Sequence, residues 1–139
     1  RLSRRHHLGG YPCGGPGEPC DNQSRPYFRP AANATRGQLS KIVSNAASFN
    51  DTPQGQTYTD VPPSTSESSF YPFIERLSSR GVMGGYPCGS PGETCDDQNR
   101  PYFRPHTLVT RAQSAKIVSN TFFPGCTIGT EAQQAAVKK

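Results

Sequence analysis

Long apolar runs are missing from this 139-residue chain, and none approaches the roughly 20 residues needed to cross a bilayer. That excludes a membrane span, and the N-terminus also lacks the apolar stretch of a signal peptide. Apolar residues are scarce overall, at 32%, beside 14 Gly and 14 Pro. A large enzyme-like interior is therefore excluded, and the composition describes a loop-rich protein with short elements. Acidic residues are outnumbered 10 to 15 by basic ones, giving a formal charge of +5 and a pI near 9.1. The basic residues are scattered, apart from Arg1, Arg4, Arg5, His6 and His7, so they favour an anionic partner mildly. They form no stripe interleaved with aromatics, and nucleic acid is not expected as a partner.

The chemistry of catalysis and metal binding is also lacking. There is no repeated Ser/His/Asp arrangement and no phosphate-cradling glycine loop, so the chain reads as a non-enzyme without a cofactor. Glu18, Glu93, Asp21 and Asp96 recur as a set, but proline-bracketed surface loops do not supply the buried setting that raises an acid's pKa. The cysteines lack the two-residue spacing of zinc knuckles and are followed by no histidine at a ligand interval. His6 and His7 point in different directions and are replaced by Gly81 and Val82 in the second copy described below. Asp96, Asp97 and Asn99 lack the remaining ligands of a calcium cage, so no metal is expected.

What is present is a repeat. Residues 1–45 return at 76–120, an offset of 75 with about 30 of 45 positions identical. A recurring module of this kind buries its apolar face against its neighbours, so function is expected on the surface those neighbours create. Cys13 and Cys20 recur as Cys88 and Cys95, each pair flanking Pro-Gly turns and each expected to close a small loop. Such a bridge contributes roughly 2–3 kcal/mol. It persists outside the reducing cytosol, which points to an exported, extracellular or envelope protein. Cys126 is left over: free, paired with a segment outside this chain, or intermolecular.

Along the second copy, 58–63 is an extended, proline-fixed lead-in with Asp60 placed for local capping. Phe70, Phe73, Ile74 and Leu77 fall at helical spacing, Pro72 belongs to that helix's first turn, and Gly81 supplies its left-handed C-terminal cap. The Gly84-Gly85-Tyr86-Pro87 turn, the cystine loop and the extended Arg100-Pro-Tyr-Phe-Arg-Pro105 follow. A further helix opens at Thr110, where a capping box with Gln113 precedes Ala115, Ile117 and Val118. The first copy repeats this opening at Thr35 and Gln38, with Leu39, Ile42 and Val43.

Asp-Val-Pro, an aromatic-led helix, Arg-Gly-Val-Met-Gly-Gly-Tyr-Pro, Phe-Arg-Pro and Thr-Arg-Ala-Gln, in that order, resemble the S-layer homology motif. The resemblance implies a mainly α, loop-rich fold of helix–loop–helix repeats packed as a pseudo-symmetric bundle. It divides the chain into a partial first motif at 1–50, a linker at 51–57, a complete second motif at 58–126 and a tail at 127–139. The first motif is truncated, and the chain is expected to be a fragment of a longer protein.

By the same resemblance, the ligand-contacting arginine corresponds to Arg36 and Arg111, and the groove turn to Gly9, Gly10 and Tyr11 and to Gly84, Gly85 and Tyr86. Two features depart from the family: the cystine insertion of about ten residues, and the lack of any tryptophan, which some members use in the sugar groove. The insertion implies a different groove rim.

Arg36 and Arg111 stand at the first helical position, where the helix dipole disfavours a cation by a few tenths of a kcal/mol, so a compensating anion is expected. It is either an internal carboxylate such as Asp60 or Glu75, or a carboxylate or phosphate on a glycan. Arg29 and Arg104 are expected to be structural, covering an aromatic ring or bonding carbonyls, and Tyr11 and Tyr86 are packing residues or sugar platforms.

Two functions follow. The first is a non-catalytic cell-envelope anchor whose inter-repeat grooves bind an acidic, in some family members pyruvylated, cell-wall polysaccharide. The alternative is a structural subunit of a surface layer, filament or larger extracellular assembly, a homo-oligomer or a partner of other envelope proteins.

Overall fold

A computed structural model describes residues 10–66 and 69–125. Gly9, Cys126, the basic cluster at the start and the 127–139 tail lie outside the described residues. Within them the regular elements are three helices, α1 (Arg36–Ala46), α2 (Tyr71–Ser79) and α3 (Arg111–Phe122). β-Structure among the described residues is limited to isolated bridges, so the architecture is mainly helical and loop-rich.

Each helix begins where the local chemistry requires. The Thr35 hydroxyl accepts from the Gln38 amide at 3.2 Å, while the Gln38 side chain accepts from the Thr35 amide at 2.9 Å. Thr110 and Gln113 form the same reciprocal pair at 3.1 Å and 3.1 Å. Two donors that a helix start leaves unpaired are thus satisfied at each site. In α2, Pro72 occupies the first turn. That helix ends as Gly81 turns left-handed at φ 68°, and the Gly81 and Val82 amides donate to the Ser78 and Leu77 carbonyls. This pattern caps the last carbonyls and fits glycine.

The two copies share one interior. Leu39 and Val43 of α1 join Tyr58, Val61, Tyr71, Ile74, Leu77, Met83, Phe103 and Ile117 in a single buried cluster. Ile74 and Leu77 of the expected α2 stripe face the core, joined by Tyr71, whereas Phe70 packs at the core's margin and Phe73 is half-buried outside it. Phe70 is drawn aside because its ring rests over Gly37, where a Cβ would come within 2.5 Å. Phe73 instead faces cations, with Lys41 Nζ 5.4 Å and Arg76 Cζ 5.5 Å from its ring centre.

Residues 51–57 are laced to α2. The Asp51 carboxylate pairs with Arg80, its carbonyl accepts from Arg76, and Gly55 O accepts from the Tyr71 hydroxyl. Buried Glu75 accepts from the Thr57 amide at 2.9 Å and the Thr57 hydroxyl at 2.6 Å. Asp60 reaches farther than a local cap, accepting the amides of Phe103 at 2.8 Å and Arg104 at 2.7 Å. It anchors the chain where Arg104 adopts φ 58°, a conformation costly for a side chain with a Cβ.

Candidate functional site

The junction between the copies is built around Arg36. Its backbone opens α1, and its first-turn amides are taken by the other copy: Arg36 N donates to Thr107 O and Gly37 N to Pro105 O, both at 2.8 Å. The Val109 amide returns a bond to Ala34 O at 3.0 Å. The guanidinium then crosses the junction, with Nε donating to Phe103 O at 2.8 Å and Nη2 to Gly84 O at 2.6 Å. Its Cζ lies 4.5 Å from the centre of the Phe103 ring and 5.2 Å from that of Tyr86. Only 7% of Arg36 is exposed.

These contacts resolve the charge at the start of α1. Neither Asp60 nor Glu75 is the counter-group, since Asp60 holds the Phe103 and Arg104 amides and Glu75 holds Thr57. Two carbonyl dipoles and two aromatic faces hold the cation instead. Nη1 makes no hydrogen bond among the described residues.

Beside this junction the packing requires glycine at position 85. A Cβ there would sit 2.5 Å from Tyr58 Cε1 and 2.8 Å from Tyr102 O. The next residue, Tyr86, is fixed by an antiparallel bridge to Tyr102, with both amide bonds at 2.8 Å. Arg104 covers its ring at 4.0 Å and is itself held by Glu93, with Nε and Nη2 donating to the two carboxylate oxygens at 2.7 and 2.8 Å. The Arg104 guanidinium holds the Glu93 carboxyl below the ordinary glutamate range.

The first copy repeats the arrangement. Arg29 covers Tyr11 at 4.0 Å and grips Glu18 at 2.7 and 2.6 Å, again keeping the carboxyl ionised. Both acids are held as anions, the opposite of a poised general acid. Asp96, another shared acid, is occupied by the Arg100 amide, the Arg100 guanidinium, Gln98 N and Thr59. Chiefly through the Arg100 amide and then its side chain, its pKa falls from 3.8 to about 2.

Cys13 is bonded to Cys20 and Cys88 to Cys95, with Cα separations of 5.0 and 5.1 Å. The resulting loops are pinned further by tyrosines: Tyr27 donates to Pro19 O at 3.0 Å and Tyr102 to Thr94 O at 2.9 Å. The insertion is further tied to the segment that follows it by the Glu93–Arg104 pair.

Of the residues expected in the groove, the structure brings together Arg36, Gly84, Gly85 and Tyr86. Gly10 and Tyr11 sit in the corresponding turn of the first copy, where Tyr11 bridges Tyr27 at 2.7 and 2.8 Å. Arg111 opens α3 exposed and without a partner among the described residues. Sequence reasoning missed the pairing of Arg104 with Glu93 and of Arg29 with Glu18, although the eleven-residue spacing, kept in both copies, carried the signal.

The junction thus joins the capped start of α1 from one copy to the glycine turn of the other. The family model for the S-layer homology domain matches residues 57–115, the segment from the lead-in through α2 and the cystine loop to the start of α3. Domains of this class are non-catalytic and anchor proteins at the cell wall. No curated protein matches the chain.

Proposed function

We propose that this chain is an extracellular anchoring module that binds an acidic cell-wall polysaccharide, pyruvylated or otherwise carboxylated, through its inter-repeat groove. The observation that carries this reading is Arg36 of one copy lying across Gly84 and Tyr86 of the next with Nη1 unclaimed. A sugar carboxylate meeting that edge gains a charge-assisted hydrogen bond, and the Tyr86 ring offers the sugar an apolar face. Arg111, exposed at the start of α3, supplies a second cation of the same kind, and a further copy packed on α3 would extend the array toward a pseudo-symmetric bundle. Two disulfides suit the oxidising exterior.

Co-sedimentation with purified cell-wall sacculi tests the reading. The wild type is expected to pellet, and Arg111→Ala to pellet less. Sacculi stripped of their acidic polymer by hydrofluoric acid should lose binding. Equal retention by stripped and intact walls, or no retention at all, would contradict it.

A further inference from the structure

Segment 51–57 and α2 flank an open cavity of about 400 Å3, within the size range of small-molecule sites. Its wall includes Asp51, Gln54, Gln56, Thr57, Glu75 and Ser79. Glu75 is the unusual member: it is 8% exposed, the only buried carboxylate among the described residues, and it belongs to none of their ion pairs. A buried carboxylate ordinarily has a cation beside it, because hydrogen bonds alone recover only part of its lost hydration. Here no cation comes. Arg36 turns to carbonyls, and Arg76 and Arg80, on the same helix as Glu75, turn to Asp51.

Three wall residues have already spent their side-chain donors inside the chain. Thr57 Oγ1 donates to Glu75 at 2.6 Å, Ser79 Oγ to Arg76 O at 3.0 Å, and Gln56 Nε2 to Tyr58 O and Thr59 O at 2.7 and 3.3 Å. What they leave is accepting capacity. The two hydroxyls keep lone pairs, and each Glu75 oxygen, having accepted one bond from Thr57, keeps room for another. Asp51 adds no free charge, since Arg80 holds it at 2.7 Å. One uncompensated negative charge among acceptors calls for a cation rich in donors. No group of three His, Cys, Asp or Glu side chains stands together among the described residues, so a divalent metal would meet too few anionic ligands.

We propose that this cavity binds a small polar molecule through a primary ammonium group, with Glu75 as its counter-ion and the Thr57 and Ser79 hydroxyls as further acceptors. An ammonium carries the missing charge and three donors, matching what the wall leaves unpaired. The two bonds to Thr57 fix the carboxylate before a ligand arrives, which lowers the cost of ordering it on binding. An amino sugar with a free amine and the side-chain amine of a peptide share this chemistry. Acetylation of the amine removes both the charge and two of the donors, so N-acetylated sugars are excluded. The cavity shares no residue with the Arg36 junction, and the inference stands without the polysaccharide reading.

Titration of the intact chain with glucosamine, N-acetylglucosamine and Nα-acetyl-lysine amide, followed by amide NMR, tests it. Saturable shifts at the Gly55, Gln56 and Thr57 amides are expected with at least one of the two amines, the tighter naming the source, and none with N-acetylglucosamine. Glu75→Gln can still accept from the Thr57 amide and pair with its hydroxyl, yet it lacks the charge, so affinity should fall about tenfold to hundredfold. Ser79→Leu, at an exposed helical position, fills the cavity from the α2 side without touching that tether. It should abolish binding with the thermal melt unchanged, and it carries the test if Glu75→Gln does not fold. Amines that give no saturable shift overturn the proposal. So do equal shifts with N-acetylglucosamine, unchanged affinity in either variant, or the same amides answering calcium chloride in place of the amines. Sacculus binding is measured separately, so failure here leaves the wall reading intact.

Discussion

The two copies hold nearly the same residues in opposite surroundings. The cystine insertion is indifferent to that: both copies keep the disulfide, the tyrosine bridge, the arginine over the ring and the bidentate glutamate. The helix that follows is not indifferent. α1 buries Arg36, Gly37, Leu39, Ser40, Val43 and Ser44, whereas α3 buries only Ile117. Contacts within the insertion lie inside one copy, the longest joining Tyr11 to Arg29 and Tyr86 to Arg104, and form wherever the sequence occurs. Contacts of the helix start need a neighbour, and among the described residues only α1 has one.

The sharpest way to break this comparison is to truncate the same side chain in each copy. Phe103→Ala removes a fully buried ring and is expected to cost about 3–5 kcal/mol. Phe28→Ala at the equivalent exposed position should change stability by no more than about 0.5 kcal/mol. Thermal denaturation of the two variants at low concentration reads the difference, and similar losses would show that the copies are not in different environments.

Exchanging the small residues at the helix starts gives a smaller contrast. Gly37→Ala forces a Cβ into the Phe70 ring and should cost roughly 1–3 kcal/mol in overpacking. Ala112→Gly, meeting no such ring, should cost about 1 kcal/mol or less, from helix propensity alone. Urea unfolding that finds alanine tolerated at 37 would place Phe70 elsewhere.

The caps should behave alike, sharpening the comparison from the other side. Thr35→Ala and Thr110→Ala each remove a hydroxyl that accepts from the amide three residues on, and each is expected to cost about 1 kcal/mol. A clear difference between the two in thermal melts would mean that the capping boxes draw on tertiary contacts.

The smallest effect is in acid. The Asp96 pKa falls from 3.8 in an ordinary setting to about 2 in the fold, so its stabilising contribution is complete above pH 4 and fades between about pH 4 and pH 2. Asp96→Asn should remove that portion of the acid sensitivity. Carboxyl carbon NMR of Asp96 should show a midpoint near 2, and a midpoint near 3.8 would break the pairing with Arg100.

How much was legible follows the same division. The capping boxes at Thr35 and Thr110, the Gly81 terminator, Pro72 and both cystine loops were readable because each involves residues only a few positions apart. The repeat itself announced a shared interior. In the stripe of α2, Ile74 and Leu77 were legible but Tyr71 was missed, because spacing alone does not reveal that Phe70 seats on Gly37 and Phe73 beside two cations. The counter-groups of Arg36 lie 48 and 67 residues away and are backbone carbonyls, which have no side-chain signature. Asp60 was recognised as a capping acid, but its targets stand 43 and 44 residues on, beyond any local pattern.

The central claim is that the start of α1 is sealed by the other copy while the start of α3 is open. Amide hydrogen exchange resolved by NMR, at a concentration where the chain is monomeric, measures it directly. The Arg36 and Gly37 amides, bonded to Thr107 O and Pro105 O, should be strongly protected, and those of Arg111 and Ala112 should exchange near the rate of an unstructured chain. Equal exchange at the two helix starts would contradict the account.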